Sequence, residues 1–226
     1  MIYYVSQKAQ GQGLGTREEP FSSINQAAQV ARPGDTVLIG PGIYREWVDP
    51  KWGGTGENQR ITYAPWEKEA PVISGAEVVT GWSRYQGSLW TATVDNRLFG
   101  SYNPYADEIA GDWFDGFGRV HHTGEVFLDG EALSEAASLE ELTPGCWFAS
   151  VGKDTTTFYA DFRGADPAAS CVEVSVRPCC FFPSREGRNY ITVSGLTLRQ
   201  AATQWAPPHG LPAGAHRHKL EQGLDH

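Results

Sequence analysis

The chain has 226 residues, 40% of them hydrophobic, enough for one large domain or two modest ones around a buried core. Its net charge of −9 at pH 7 excludes partners that need a basic patch, nucleic acid and anionic membrane surfaces among them. Twenty-six Gly and fourteen Pro, with few long helical patterns, predict an all-β chain of short strands and tight turns.

In chain order, Met1 to Ser6 carries neither the basic start nor the apolar stretch of a secretory signal, and no window reaches membrane-spanning length. The expectation is a cytoplasmic protein with no membrane partner. Gly11, Gly13 and Gly15 lack the strand–loop–helix context and the Lys of a phosphate loop, so they read as a turn before Pro20. Ile24, Ala27, Ala28 and Ala31 then recur at helical spacing behind Ser22 or Ser23 as N-cap, and Pro33-Gly34-Asp35 stops the helix. Thr36 to Ile39 is an apolar run of strand length, Gly40-Pro41-Gly42 breaks it, and a second run extends from Ile43 to Val48. A capping helix followed by short strands and sharp breaks resembles the opening of a right-handed, single-stranded parallel β-helix.

Arg60 to Ala64, Pro71 to Ser74 and Tyr190 to Leu198 continue that texture, the last turning at Gly195. Between them the pattern changes to antiparallel alternation in Trp82 to Tyr85, Leu89 to Val94, Glu125 to Leu128, Thr156 to Phe162 and Val172 to Arg177. Asp129-Gly130 is a strong hairpin signal and Gly87-Ser88 a weaker one. A short helical stretch is expected over Ser138 to Leu142, ended by Pro144-Gly145. The predicted organisation is a cap and first coils over 1–76, an inserted β-sandwich over 77–177, a resumed coil over 178–208 and a tail over 209–226. Cys146, Cys171, Cys179 and Cys180 have no CxxC spacing and read as reduced, buried structural thiols.

Asp112, Trp113 and Phe114 sit in a loop between Gly111 and Gly116, where two aromatic rings can offer a stacking face to a pyranose or, equally simply, pack a core. Arg45, Glu46 and Trp47 follow a coil strand and either face a cleft or form an ion pair on the wall. Asp107, Glu108, Asp112 and Asp115 cluster without a spacing that sets a catalytic pair, and read as solvated carboxylates. His121-His122 lacks a third ligand at useful spacing, so exposed loop histidines and no metal are expected.

Phe99-Gly100-Ser-Tyr-Asn103-Pro104-Tyr105-Ala-Asp-Glu-Ile-Ala-Gly111-Asp112-Trp113 is similar to a motif of the glycoside hydrolase family 120 β-xylosidases. Tyr44 to Val48, Arg60 to Tyr63, Gly164 to Pro167 and Ala201 to Pro208 resemble further segments of that family, in the same order. The resemblance implies a parallel β-helix interrupted by an immunoglobulin-like β-sandwich. It implies a retaining, exo-acting enzyme on xylo-oligosaccharides, with no metal or other cofactor, and with the Gly111 to Gly116 loop on the leaving-group side of the pocket. Retention needs two carboxyl groups about 5 Å apart, and in the family both lie in coils beyond this chain, so no catalytic residue is carried over. The full-length parent is expected to form homo-oligomers. The alternatives are a non-catalytic carbohydrate-binding or structural module, and a pectate-lyase-like β-helix protein, which needs a calcium-binding acidic cluster on a strand face.

After Pro208 the strand pattern ends. Ala215 to His226, back-translated with ordinary codons and read one base later, becomes Leu-Ile-Gly-Thr-Asn-Trp-Ser-Lys-Gly-Trp-Ile, similar to what the family carries after Ala-Pro-Pro. A one-base shift near Pro207 and Pro208 is therefore expected, which makes the chain a truncated, inactive fragment with its last coil uncovered.

Overall fold

Ser23 opens the α-helix Ile24–Val30 with a reciprocal capping box: its hydroxyl accepts the Gln26 N–H at 3.2 Å, and the Gln26 side chain accepts the Ser23 N–H at 3.2 Å. Ile24, Ala27, Ala28 and Ala31 are fully buried, as their spacing predicts. These features come from a computed structural model that describes residues 1–111 and 114–203. The described residues fall into two units, 1–75 with Cys179–Arg199, and Ala76–Pro178 with 200–203.

The first unit holds two all-parallel sheets. One orders Ile2–Val5, Thr36–Ile39, Ile61–Pro65 and Ile191–Val193; the other orders Ile43–Tyr44, Val72–Ser74 and Thr197–Arg199. Pairing is in register, so Val37 stacks between Tyr3 and Tyr63, and Val193 continues the column. Val5, Val37, Ile39, Ile61, Tyr63 and Ile73 are fully buried and form the interior of this unit. The run predicted from Ile43 to Val48 pairs as strand only through Tyr44, because Glu46 turns to the helix N-terminus, and Val48 rejoins by an isolated bridge to Phe181.

The second unit holds two sheets that share one apolar core. The first orders Glu131–Ala132, Val126–Leu128, Val172–Ser175 and Ala76–Val78, antiparallel throughout. The second orders Ser134–Glu135, Cys146–Val151, Thr155–Ala160, Trp90–Asp95 and Ser83–Arg84, with one parallel pair at its edge. Asp129 (φ 52°) and Gly130 (φ 87°) make the predicted hairpin, whose two positive φ angles favour this Asx-Gly pair. Val126, Val172 and Val174 from one sheet meet Trp147, Phe158 and Ala160 from the other. The stretch expected to be helical over Ser138 to Leu142 is a single 3₁₀ turn, Leu139–Glu141. Cys179 and Cys180 are buried, whereas Cys171 is exposed, contrary to the expectation of buried thiols. Among the described residues no helix is long and apolar enough to cross a membrane.

Candidate functional site

In the first unit, the carboxylate of Glu46 accepts the backbone N–H groups of Ile24 at 2.8 Å and Asn25 at 2.7 Å. These are two of the four N–H groups that the first helical turn leaves without an internal partner, and a negative charge there also meets the positive end of the helix dipole. The indole N–H of Trp47 donates to the Phe182 carbonyl at 2.8 Å. Arg45 lies beside them, half-buried. The structure thus ties Glu46 to the helix and Trp47 to the 181–182 segment.

The second candidate is the long loop between Pro104 and Gly124 in the second unit. Its base is rigid for reasons written in the motif around Asn103. The Asn103 amide donates to Thr156 Oγ1 at 2.9 Å, and its carbonyl oxygen accepts the Tyr105 N–H at 3.0 Å. Tyr105 is 2% exposed, stacks edge-to-face on Phe99, Trp147 and Phe158, and donates its hydroxyl to the Glu125 carbonyl at 2.8 Å. Burial pushes its pKa well above the ordinary tyrosine value, so it stays a neutral donor.

Two backbone hydrogen bonds close the loop's neck, Ile109 N–H to the His121 carbonyl and Thr123 N–H to the Asp107 carbonyl, and together they make the antiparallel bridge of Glu108 with His122. The Thr123 hydroxyl donates to Asp107 Oδ2 at 2.9 Å, and the Tyr102 hydroxyl donates to the Ala202 carbonyl at 2.8 Å. Beyond the neck, Phe114 meets His121 edge-to-face at 5.6 Å between ring centroids. Asp115 accepts the Phe117 N–H at 2.8 Å. Asp112 and Trp113 lie outside the described residues.

His121 and His122 are half-buried rather than exposed, because Glu135 reaches them from the edge of its sheet. His122 Nδ1 lies 2.6 Å from Glu135 Oε1; His121 Nδ1 and Arg119 Nη2 lie 3.8 and 3.7 Å from Oε2. The hydrogen bond to Glu135 raises the His122 pKa above its ordinary value, against the opposing effect of burial. Glu135 has no motif around it and escapes sequence reasoning. Phe117 does too, although it is 86% exposed at φ 50° and presents an aromatic ring to solvent from this loop. Among the described residues, no three His, Cys, Asp or Glu side chains are grouped to hold a metal ion. Chemically the loop offers aromatic faces on a braced neck, with a carboxylate shared among two histidines and an arginine at its flank.

Residues 79–146, which contain this loop and its neck, match the family model described as "Glycoside hydrolase 120, insertion domain". Over that stretch the chain is similar to the insertion domain of glycoside hydrolase family 120. That domain continues into a wider likeness, since a solved structure described as "The complex structure of XylC with xylose" is 39% identical to this chain. The match covers 92% of this chain and 36% of XylC, with a TM-score of 0.88. A second structure, described as "Glycoside hydrolase", covers 88% of this chain and 50% of its own at 16% identity and a TM-score of 0.56, a likeness of fold alone. The uncharacterized protein YwoF of Bacillus subtilis (strain 168) is 41% identical over 75 residues, 33% of this chain and 16% of YwoF. The chain therefore spans about a third of XylC and a smaller share of YwoF.

Proposed function

We propose that this chain is the N-terminal part of a retaining, exo-acting β-xylosidase-type glycoside hydrolase that takes xylo-oligosaccharides. The observation that carries this reading is the TM-score of 0.88 at 39% identity to XylC, a protein whose structure holds xylose. In this reading the two parallel sheets of the first unit are faces of a right-handed parallel β-helix. Successive coils then supply Thr36–Ile39 with Ile43–Tyr44, Ile61–Pro65 with Val72–Ser74, and Ile191–Val193 with Thr197–Arg199. The second unit is an immunoglobulin-like sandwich that holds the insertion-domain loop, and Trp113, Phe114 and Phe117 are its sugar-contacting aromatics. Asp112, Arg45, Glu46 and Trp47 are further contact candidates.

The portion described here holds sugar without cleaving it. Two of its loop carboxylates are engaged by the loop itself, Asp107 by Thr123 and Asp115 by the Phe117 N–H, whereas retention requires two carboxyl groups free to act on either side of the glycosidic bond. The test is release of the aryl group from an aryl β-xyloside by this chain and by a chain extended through further coils. Turnover is expected only from the extended chain. Turnover by this chain alone overturns the division of labour, and none from either overturns the xylosidase reading.

A further inference from the structure

In a chain of net charge −9, the first unit gathers three cations on one indole. The Arg32 guanidinium carbon lies 4.1 Å from the centroid of the Trp52 ring, that of Arg188 5.7 Å, and the Lys51 Nζ 6.0 Å. None of the three forms an ion pair among the described residues. Three carboxylates close to them in sequence or in the same unit have other partners: Asp35 the N-terminal ammonium and the Arg32 backbone N–H, Asp49 Ser184, and Glu57 Arg60.

The gathering is enforced by backbone. Gly54 donates its N–H to the Asn189 carbonyl at 2.9 Å, and a Cβ at Gly53 would lie 2.5 Å from that same oxygen. A Cβ at Gly54 would lie 2.8 Å from the Tyr190 Cβ. Two adjacent glycines thus let the 188–190 segment lie directly on 52–54, which delivers Arg188 to Trp52 and sets Tyr190 alongside. Tyr190 is 40% exposed, with the Arg60 guanidinium 5.9 Å from its ring. Cation–π attraction holds each head group on the indole but leaves the mutual repulsion of the cations uncompensated, and an anion placed among them removes it. The Trp52 Nε1 and Arg188 Nε atoms are buried without a hydrogen-bond partner, so the protein itself has not satisfied this cluster.

We propose that Arg32, Lys51 and Arg188 form a binding site for the carboxylate of a uronic-acid sugar, whose pyranose ring lies against the exposed face of Tyr190. Guanidinium groups match a carboxylate with paired N–H donors, and an aromatic face beside them accommodates the sugar's C–H face. The site is separate from the xylosidase reading and does not depend on it.

Isothermal titration of the intact chain with glucuronate, glucose and sodium sulfate tests it. Glucuronate is expected to bind saturably and to weaken as salt rises, with glucose failing to bind and sulfate binding at least tenfold more weakly, roughly the loss from removing one charge-assisted contact set. Arg188→Gln is expected to weaken glucuronate by about tenfold or more. Lys51→Gln and Tyr190→Ala alter exposed side chains, and each is expected to weaken it measurably, which keeps the test valid if the Arg188 variant fails to fold. Glucuronate binding no tighter than glucose, sulfate binding as tightly as glucuronate, or affinity unchanged in the Lys51 and Tyr190 variants overturns the proposal. Because no xyloside is used, failure here leaves the aryl β-xyloside experiment to judge the other reading.

Discussion

Replacing Glu46 separates a residue that holds the fold from one that holds sugar. Its two carboxylate oxygens accept the Ile24 and Asn25 N–H groups at 2.8 and 2.7 Å, and Glu46→Ala leaves both donors of a partly buried helix end without that acceptor. A hydrogen bond to a charged group contributes about 1.5–3 kcal/mol, and water entering the vacated space recovers part of it, so a net loss of about 2–3 kcal/mol is expected. For a chain of this size that lowers Tm by about 4–12 °C if it melts as one unit. Glu46→Gln keeps one neutral acceptor and is expected to lose about half as much. The assay is urea and thermal unfolding of both variants beside the parent, with xylobiose titration of the folded proteins. If both variants match the parent's stability within about 0.5 kcal/mol while sugar affinity falls, the capping argument is refuted and Glu46 belongs to the sugar site.

Three other outcomes follow from the geometry. His122 carries a raised pKa through its bond to Glu135, so the pair's stabilisation is full below the ordinary histidine value and is lost as pH rises through the higher folded value. Glu135→Gln should therefore destabilise the protein more at pH 5.5 than at pH 9, where the contacts with Arg119 and the His122 backbone N–H are what is left to lose, read from unfolding midpoints at the two pH values. Thr156 is fully buried, donates to Asn96 at 2.7 Å and accepts from Asn103 at 2.9 Å. Thr156→Val strips both amides of a partner and should cost about 1–3 kcal/mol in urea unfolding while loosening the neck of the loop. A Cβ at Gly54 would fall 2.3 Å from the Gln59 carbonyl oxygen, so Gly54→Ala should cost about 1–3 kcal/mol by the same measurement.

Much of the scaffold is legible in local patterns because local physics decides it. The helix follows from a capping box and alanine spacing, Thr36–Ile39 from a β-branched run between breakers, and the 129–130 hairpin from an Asp-Gly pair. What escapes depends on partners far away in sequence. The run after Tyr44 reads as strand, yet Glu46 turns away to a helix 22 residues earlier. Cys146–Val151 lacks clean alternation and becomes a strand because Thr155–Ala160 and Ser134–Glu135 flank it. At the candidate site, Asn103 and Tyr105 are visible as part of a family motif, and the structure shows them bracing the loop. Glu135 is invisible, since nothing in Leu133-Ser-Glu135 announces that two histidines and an arginine converge on it.

Calorimetric titration of this chain with xylobiose tests the central claim, that the insertion-domain loop contacts xylose-type sugar. Saturable binding that is stronger than that of cellobiose and is lost on replacing Phe114 and Phe117 together with Ala is the predicted result. Absence of binding at millimolar xylobiose, or binding untouched by the double replacement, contradicts it.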